Sequence, residues 1–157
     1  MRLQTACFVI DGSQIQALDQ IVAKFELRAS DGYRAAVRHG FSLDEAMTQR
    51  LKAIPTRVRN TKIPNRRRVI FCVPQEVVEH AQRLAATHRC LLSDVYRAAM
   101  ELGSQEVERH FSGGVAALVD KLEHQTGFEK GAIFRAADSI FGAIDCGDSV
   151  TPNQNEK

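Results

Sequence analysis

The sequence predicts a mainly α-helical protein carrying a short two-stranded antiparallel β-ribbon, and three observations predict it. A strand–helix–helix pattern is written twice at one fixed spacing. Each copy opens on a short run rich in β-branched and aromatic residues. Each run is followed by segments whose apolar residues recur at helical spacing.

The repeat comes first because it fixes the rest. Sliding the 157-residue chain by 63 positions aligns Ser30-Asp31-Gly32-Tyr33-Arg34-Ala35-Ala36 with Ser93-Asp94-Val95-Tyr96-Arg97-Ala98-Ala99, six identities in seven positions. The same gapless offset sets Phe8 on Phe71, Ala23 on Ala86 and Gly40 on Gly103. The strands are expected over Cys7–Ile10 and Val69–Val73. Pro74 ends the second and suits the first turn of a helix, where its missing N–H costs nothing; Asp11 holds the matching place and suits a cap. Ile15, Leu18, Ile21, Val22 and Phe25 mark one helical face, and Val77, Ala81, Leu84 and Ala85 mark its counterpart. After turns at 27–29 and 90–92, second helices are expected to open at Ser30-Asp31 and Ser93-Asp94. They run towards Gly40 and Gly103, where glycine favours an ending, with the second copy continuing towards His110. A weaker echo sets Phe134-Arg135-Ala136-Ala137 on Tyr96-Arg97-Ala98-Ala99, so Gly114–Gln125 and Glu129–Ile144 read as a C-terminal helix pair hinged at Thr126-Gly127.

A lone strand leaves its backbone groups unpaired, and a unit of about 40 residues buries little core. Each unit therefore needs a partner, which the tandem copy supplies at high effective concentration. Pairing within one chain, as an intramolecular pseudo-dimer, and pairing between two chains both satisfy this need. The expected division is a first unit over 1–47, a basic connector over 48–66, a second unit over 67–110, the helix pair over 111–144 and a disordered tail over 145–157.

Charge is distributed unevenly. Residues 1–100 hold 16 Lys and Arg against 9 Asp and Glu, whereas residues 101–157 hold 5 against 10. Eight basic residues and no acidic ones fall within 50–68. A basic front with an acidic back suits a polyanion on one side. No apolar run is long enough to span a bilayer, so no membrane partner is expected. The N-terminus lacks the long apolar stretch of a secretory signal, which makes the four cysteines reduced thiols in a cytoplasm by expectation.

The paired strand–helix–helix pattern resembles the ribbon-helix-helix fold of the MetJ/Arc superfamily. The likeness is carried by Arg68–Glu101 along its length: an alternating strand, Pro74, the amphipathic Val77–Ala85 helix, the Arg89-Cys90 turn and the Ser93-Asp94-Val95-Tyr96 helix start. Counting both copies it covers most of residues 3–110. Two such units in one chain resemble a conjugation protein and a tandem accessory protein of T-DNA processing.

The resemblance implies double-stranded DNA as partner, with the ribbon in the major groove. Base-contacting positions would be Gln4, Thr5, Cys7, Val9, Arg68, Ile70 and Cys72. Phosphate-contacting positions would be Arg28, Ala29, Ser30, Arg57, Arg59, Lys62, Arg66, Arg67, Arg89, Cys90 and Ser93, several of them at helix starts where free N–H groups favour an anion. Ala6, Phe8, Ile10, Val69, Phe71 and Val73 would face the helices. One departure stands out: the outward Cys7, Val9, Ile70 and Cys72 replace the hydrogen-bonding side chains usual in the family. They suit thymine methyl groups, or cover by a protein segment.

Other chemistry is weakly supported. Cys90 follows His88 and Arg89 at a helix start, where a thiolate is stabilised, yet an inert cysteine is the better reading. His80 and His88 lack zinc spacing, a Cys7–Cys72 disulfide does not suit a cytoplasm, and Tyr33 and Tyr96 recur as structural contacts. No phosphate loop or nucleophile elbow occurs, so neither an enzyme, a metal nor a cofactor is expected. The leading expectation is a transcriptional regulator of a plasmid or mobile element. The alternatives are a transfer-origin accessory factor in conjugation, or an interaction module that has lost DNA binding. Further expected partners are a relaxase or the transcription machinery, and a second copy joined through the C-terminal helices.

Overall fold

A computed structural model describes residues 2–54, 63–110, 116–129 and 132–133, with backbone alone at 110 and 116–119. Strand β1 spans Leu3–Asp11, and one turn of 3-10 helix over Gly12–Ile15 leads into α1 (Gln16–Lys24). Helices α2 (Ala29–Ser42) and α3 (Asp44–Lys52) follow, then β2 (Arg66–Pro74), α4 (Gln75–His88), α5 (Leu92–His110) and α6 (Ala116–Thr126). The architecture is mainly helical with one two-stranded antiparallel sheet among the described residues.

Both strands are longer than the four or five residues expected. Their ladder pairs Leu3 with Pro74 through Asp11 with Arg66. It is extended at each end by one hydrogen bond, Gly12 N–H to Asn65 O and Gln75 N–H to Arg2 O, both 3.0 Å. The donors and the acceptors are each 63 residues apart. Asp11 caps the 3-10 turn as expected, its carboxylate accepting from Ser13 N–H at 2.9 Å and from the Ser13 hydroxyl at 2.7 Å.

Alternation sorts the ribbon into two faces. Ala6, Phe8, Ile10, Val69, Phe71 and Val73 are buried against the helices. Thr5, Cys7, Arg68, Ile70 and Cys72 are exposed, and Val9 is half-buried. The two copies bury equivalent residues: Ile15 and Val78, Leu18 and Ala81, Tyr33 and Tyr96, Val37 and Met100. Tyr96 stacks on Phe8 at 5.7 Å while Tyr33 tilts against Phe71 at 5.9 Å, and Phe8 meets Phe71 edge-on at 6.0 Å. Each tyrosine thus packs on the other copy's strand. Such ring pairs contribute about 0.5–1.5 kcal/mol each beyond their burial.

The chain reversals repeat as well. Glu26 and Arg89 both adopt φ 53°, and Leu27 N–H and Cys90 N–H donate back to Val22 O and Ala85 O at 2.9 and 3.1 Å. A left-handed residue followed by this six-to-one bond closes a helix C-terminus.

Three expectations are corrected. Gly40 does not end α2, which runs to Ser42, while α5 continues past Gly103 to His110 as expected. Both glycines lie where α2 and α5 cross. A Cβ on Gly40 would stand 1.9 Å from Ala99 O, and one on Gly103 would stand 1.5 Å from Ala36 O. The backbones touch reciprocally, so glycine is required by the neighbouring helix. Second, part of the expected connector is helical: α3 begins on Asp44 and Glu45, which favour a helix start, and buries Met47 and Leu51 one turn apart. Third, the second helices open one residue earlier than expected, at Ala29 and Leu92.

Of the C-terminal pair, α6 is present, and Gly127 at φ 74° ends it at the expected hinge. Leu122 and Ile133 join the core. Residues 130–131 and 134–157, on which most of the expected second helix of that pair and the expected tail fall, lie outside the described residues. Among the described residues no helix is long and apolar enough to cross a membrane.

Candidate nucleic-acid interface

The outward ribbon face is built around one cross-strand pair, Cys7 with Ile70. These positions are 63 apart, so the pair lies where the two copies exchange. On one side Thr5 pairs with Cys72, and on the other Val9 pairs with Arg68. Ile70 is 50% exposed and Leu3 57%. The Arg68 Nε donates to Cys7 Sγ at 3.4 Å, which draws the guanidinium over the centre of the face. Cys7 and Cys72 carry free thiols and occupy different cross-strand pairs.

Two expected site residues take other places. Gln4 shares its parity with Ala6, so it turns to the helix side, where its amide bonds the Gln75 side chain. Arg67 does the same: its guanidinium forms an ion pair with Asp19 and donates to the Tyr33 hydroxyl at 2.7 Å. The Asp19 bond, countered by partial burial, raises the Arg67 pKa further above its ordinary value. Arg67 therefore ties β2 to α1 and α2. Arg66 and Arg68 remain exposed on the outward face. Arg57, Arg59 and Lys62 lie outside the described residues.

Arg34 and Arg97 orient the helices against the ribbon, and sequence reasoning gave neither a role. Arg34 pairs with Asp31 at 2.8 Å and donates through Nη1 to Cys72 O at 3.3 Å. Arg97 pairs with Asp94 at 3.5 Å and donates through Nε to Val9 O at 3.3 Å. The donors are 63 apart, and so are the acceptors. The signal was present in the aligned heptapeptide, but the carbonyl partners are 38 and 88 residues distant. These contacts fix which helix start flanks which half of the face: α2 lies beside Thr5 and Cys72, α5 beside Val9 and Arg68.

The two helix starts differ chemically. Arg28, exposed and extended, precedes α2. Its counterpart Leu91 precedes α5 and donates its N–H to Asp94 Oδ2 at 3.0 Å, which caps the helix internally. Ala29 and Ser30, and Leu92 and Ser93, supply the first-turn N–H groups, which have no partner within a helix. Arg89 is exposed in the turn before α5. Burial, reinforced by the Asp94 charge, pushes the Cys90 thiol above its ordinary pKa, the opposite of an activated thiolate.

The geometry suits a groove. Nine residues per strand extend about 30 Å, and one ribbon with its side chains fits a major groove about 12 Å wide. The Arg68 fork matches guanine O6 and N7, while Cys7, Val9 and Ile70 match thymine methyl groups. No group of three or more metal-ligating side chains occurs among the described residues. No protein-family model, curated protein or solved structure matches the chain.

Proposed function

We propose that the chain binds double-stranded DNA in the ribbon-helix-helix manner, as a tandem of two units in one polypeptide, and serves as a regulator of transcription. The observation that carries this reading is the ribbon's outward face: two equivalent strands, uncovered by any described helix, with the first turn of α2 beside one half and that of α5 beside the other. Arg66 and Arg68 supply cations on the face, and the sequence that precedes β2 is rich in further basic residues. The exposed Ile70 and Leu3 favour a second reading, in which the face is covered by a protein segment.

Duplex binding against salt separates the two. If about 6–10 phosphates are neutralised, affinity falls on the order of a thousandfold or more between 50 and 200 mM salt. Affinity that is flat across that range, or absent at low salt, favours the protein-covered face. Arg68→Ala is expected to cost about 1–3 kcal/mol on a preferred site and to relax one base preference. Arg57→Ala and Arg59→Ala are expected to weaken all duplexes evenly.

A further inference from the structure

We infer that the DNA site is non-palindromic and is occupied by a single chain in one fixed orientation; this rests on the proposed binding of duplex DNA. The argument begins at the Cys7–Ile70 pair, where the two copies exchange. Two identical strands around such a centre would present the same side chains to both halves of a site and would read an inverted repeat. Here the backbone scaffold is nearly two-fold, as the reciprocal contacts of Arg34 with Cys72 O and Arg97 with Val9 O demonstrate. The outward side chains are not.

Arg68 of β2 corresponds to Thr5 of β1, and Arg66 corresponds to Leu3. One half of the face therefore carries both guanidinium groups, and the other carries a hydroxyl and an exposed leucine. The asymmetry continues at the helix starts, where Arg89 of the second copy stands in place of Glu26 of the first. The arginine half is flanked by α5, whose start exposes Leu91 and Leu92. The threonine half is flanked by α2, whose start exposes Arg28. The first half is thus built to read bases by charged hydrogen bonds, with Arg89 in the turn before α5 as its exposed cation. The second is anchored at phosphate and reads by methyl contact. Arginine on the strand selects guanine, and threonine with leucine selects thymine. The matching ligand is a duplex with guanine in one half and thymine in the other. Turning the chain end for end on that duplex would set Leu3 and Thr5 against guanine and lose the bidentate contact.

The test is selection of bound duplexes from a random library by the full chain. The selected duplex is then compared with two palindromes made by duplicating each of its halves. The expected result is an asymmetric consensus, one chain bound per duplex, and binding to each palindrome weaker by about tenfold or more. Thr5→Arg supplies the missing mate of Arg68 at an exposed position. It is expected to bring guanine into the second half and move the consensus towards a palindrome. A palindromic consensus for the unaltered chain, or duplex binding with no consensus, overturns the inference and leaves duplex binding standing. Absence of duplex binding at low salt overturns both.

Discussion

Gly40→Ala is the sharpest test of how the two copies meet. The added methyl group would lie 1.9 Å from Ala99 O and 2.6 Å from Ala99 C, whereas ordinary contact begins near 3.4 Å. The α2 and α5 backbones would have to separate by about 1.5 Å, because no side-chain rotation relieves a clash with a peptide group. Overpacking costs about 1–3 kcal/mol where side chains can shift, and a backbone clash belongs at or above that upper end. Removing glycine from a helix interior returns about 1 kcal/mol. The net loss is therefore about 2 kcal/mol or more, a sizeable share of the stability of a small domain. Urea unfolding of Gly40→Ala beside Gly32→Ala provides the comparison. At Gly32 the new methyl meets the Val22 side chain at 2.5 Å, which can turn away. A Gly40→Ala protein as stable as its parent, or harder hit at Gly32, would refute the close reciprocal crossing.

Arg97→Met should remove the bond to Val9 O and leave Asp94 without its ion pair, costing about 1.5–3 kcal/mol in urea unfolding. It should also speed amide exchange in the β1 half beside α5. Glu101, half-buried beside Arg50, has its carboxyl pKa raised by that burial, against the opposing charges of Arg50 and Arg97. Its native form therefore holds a proton that the unfolded form releases, so its contribution to stability falls as pH rises from 4.5 through the raised pKa. Unfolding curves across that range should show this slope, and Glu101→Gln should flatten it. Asp11 has the opposite sign: hydrogen bonds from Ser13 lower its pKa. Its contribution is lost as pH falls through that lowered value, and Asp11→Asn should remove the acid-side loss. Thiol labelling followed by mass spectrometry should modify the exposed Cys7 and Cys72 before Cys90, whose pKa is raised by burial.

Much of this arrangement was legible because the same unit is written twice. Alternation in Ala6-Cys7-Phe8-Val9-Ile10 assigned the ribbon's faces, and the 63-residue offset foretold that Tyr33 and Tyr96 would make equivalent contacts. What sequence concealed was pairwise. Gly40 at the end of an amphipathic stretch reads the same whether it stops a helix or admits another backbone, since only the partner Ala99 distinguishes the two. Gln4 and Arg67 had the polarity of groove residues but the parity of core residues, and parity decided. Arg34 and Arg97 bind main-chain oxygens, which leave no mark in side-chain patterning. Helix α3 was readable from Asp44-Glu45 with Met47 and Leu51 one turn apart, but the basic stretch beyond it drew that segment into the connector.

The proposed seating of the outward ribbon face in the major groove is tested most directly by methylation interference on a selected duplex. Methyl groups on guanine N7 project into the major groove, and those on adenine N3 into the minor groove. Guanine methylation within the site is expected to abolish binding while adenine methylation there leaves it intact. Interference confined to adenine N3, or none at either position, would contradict it.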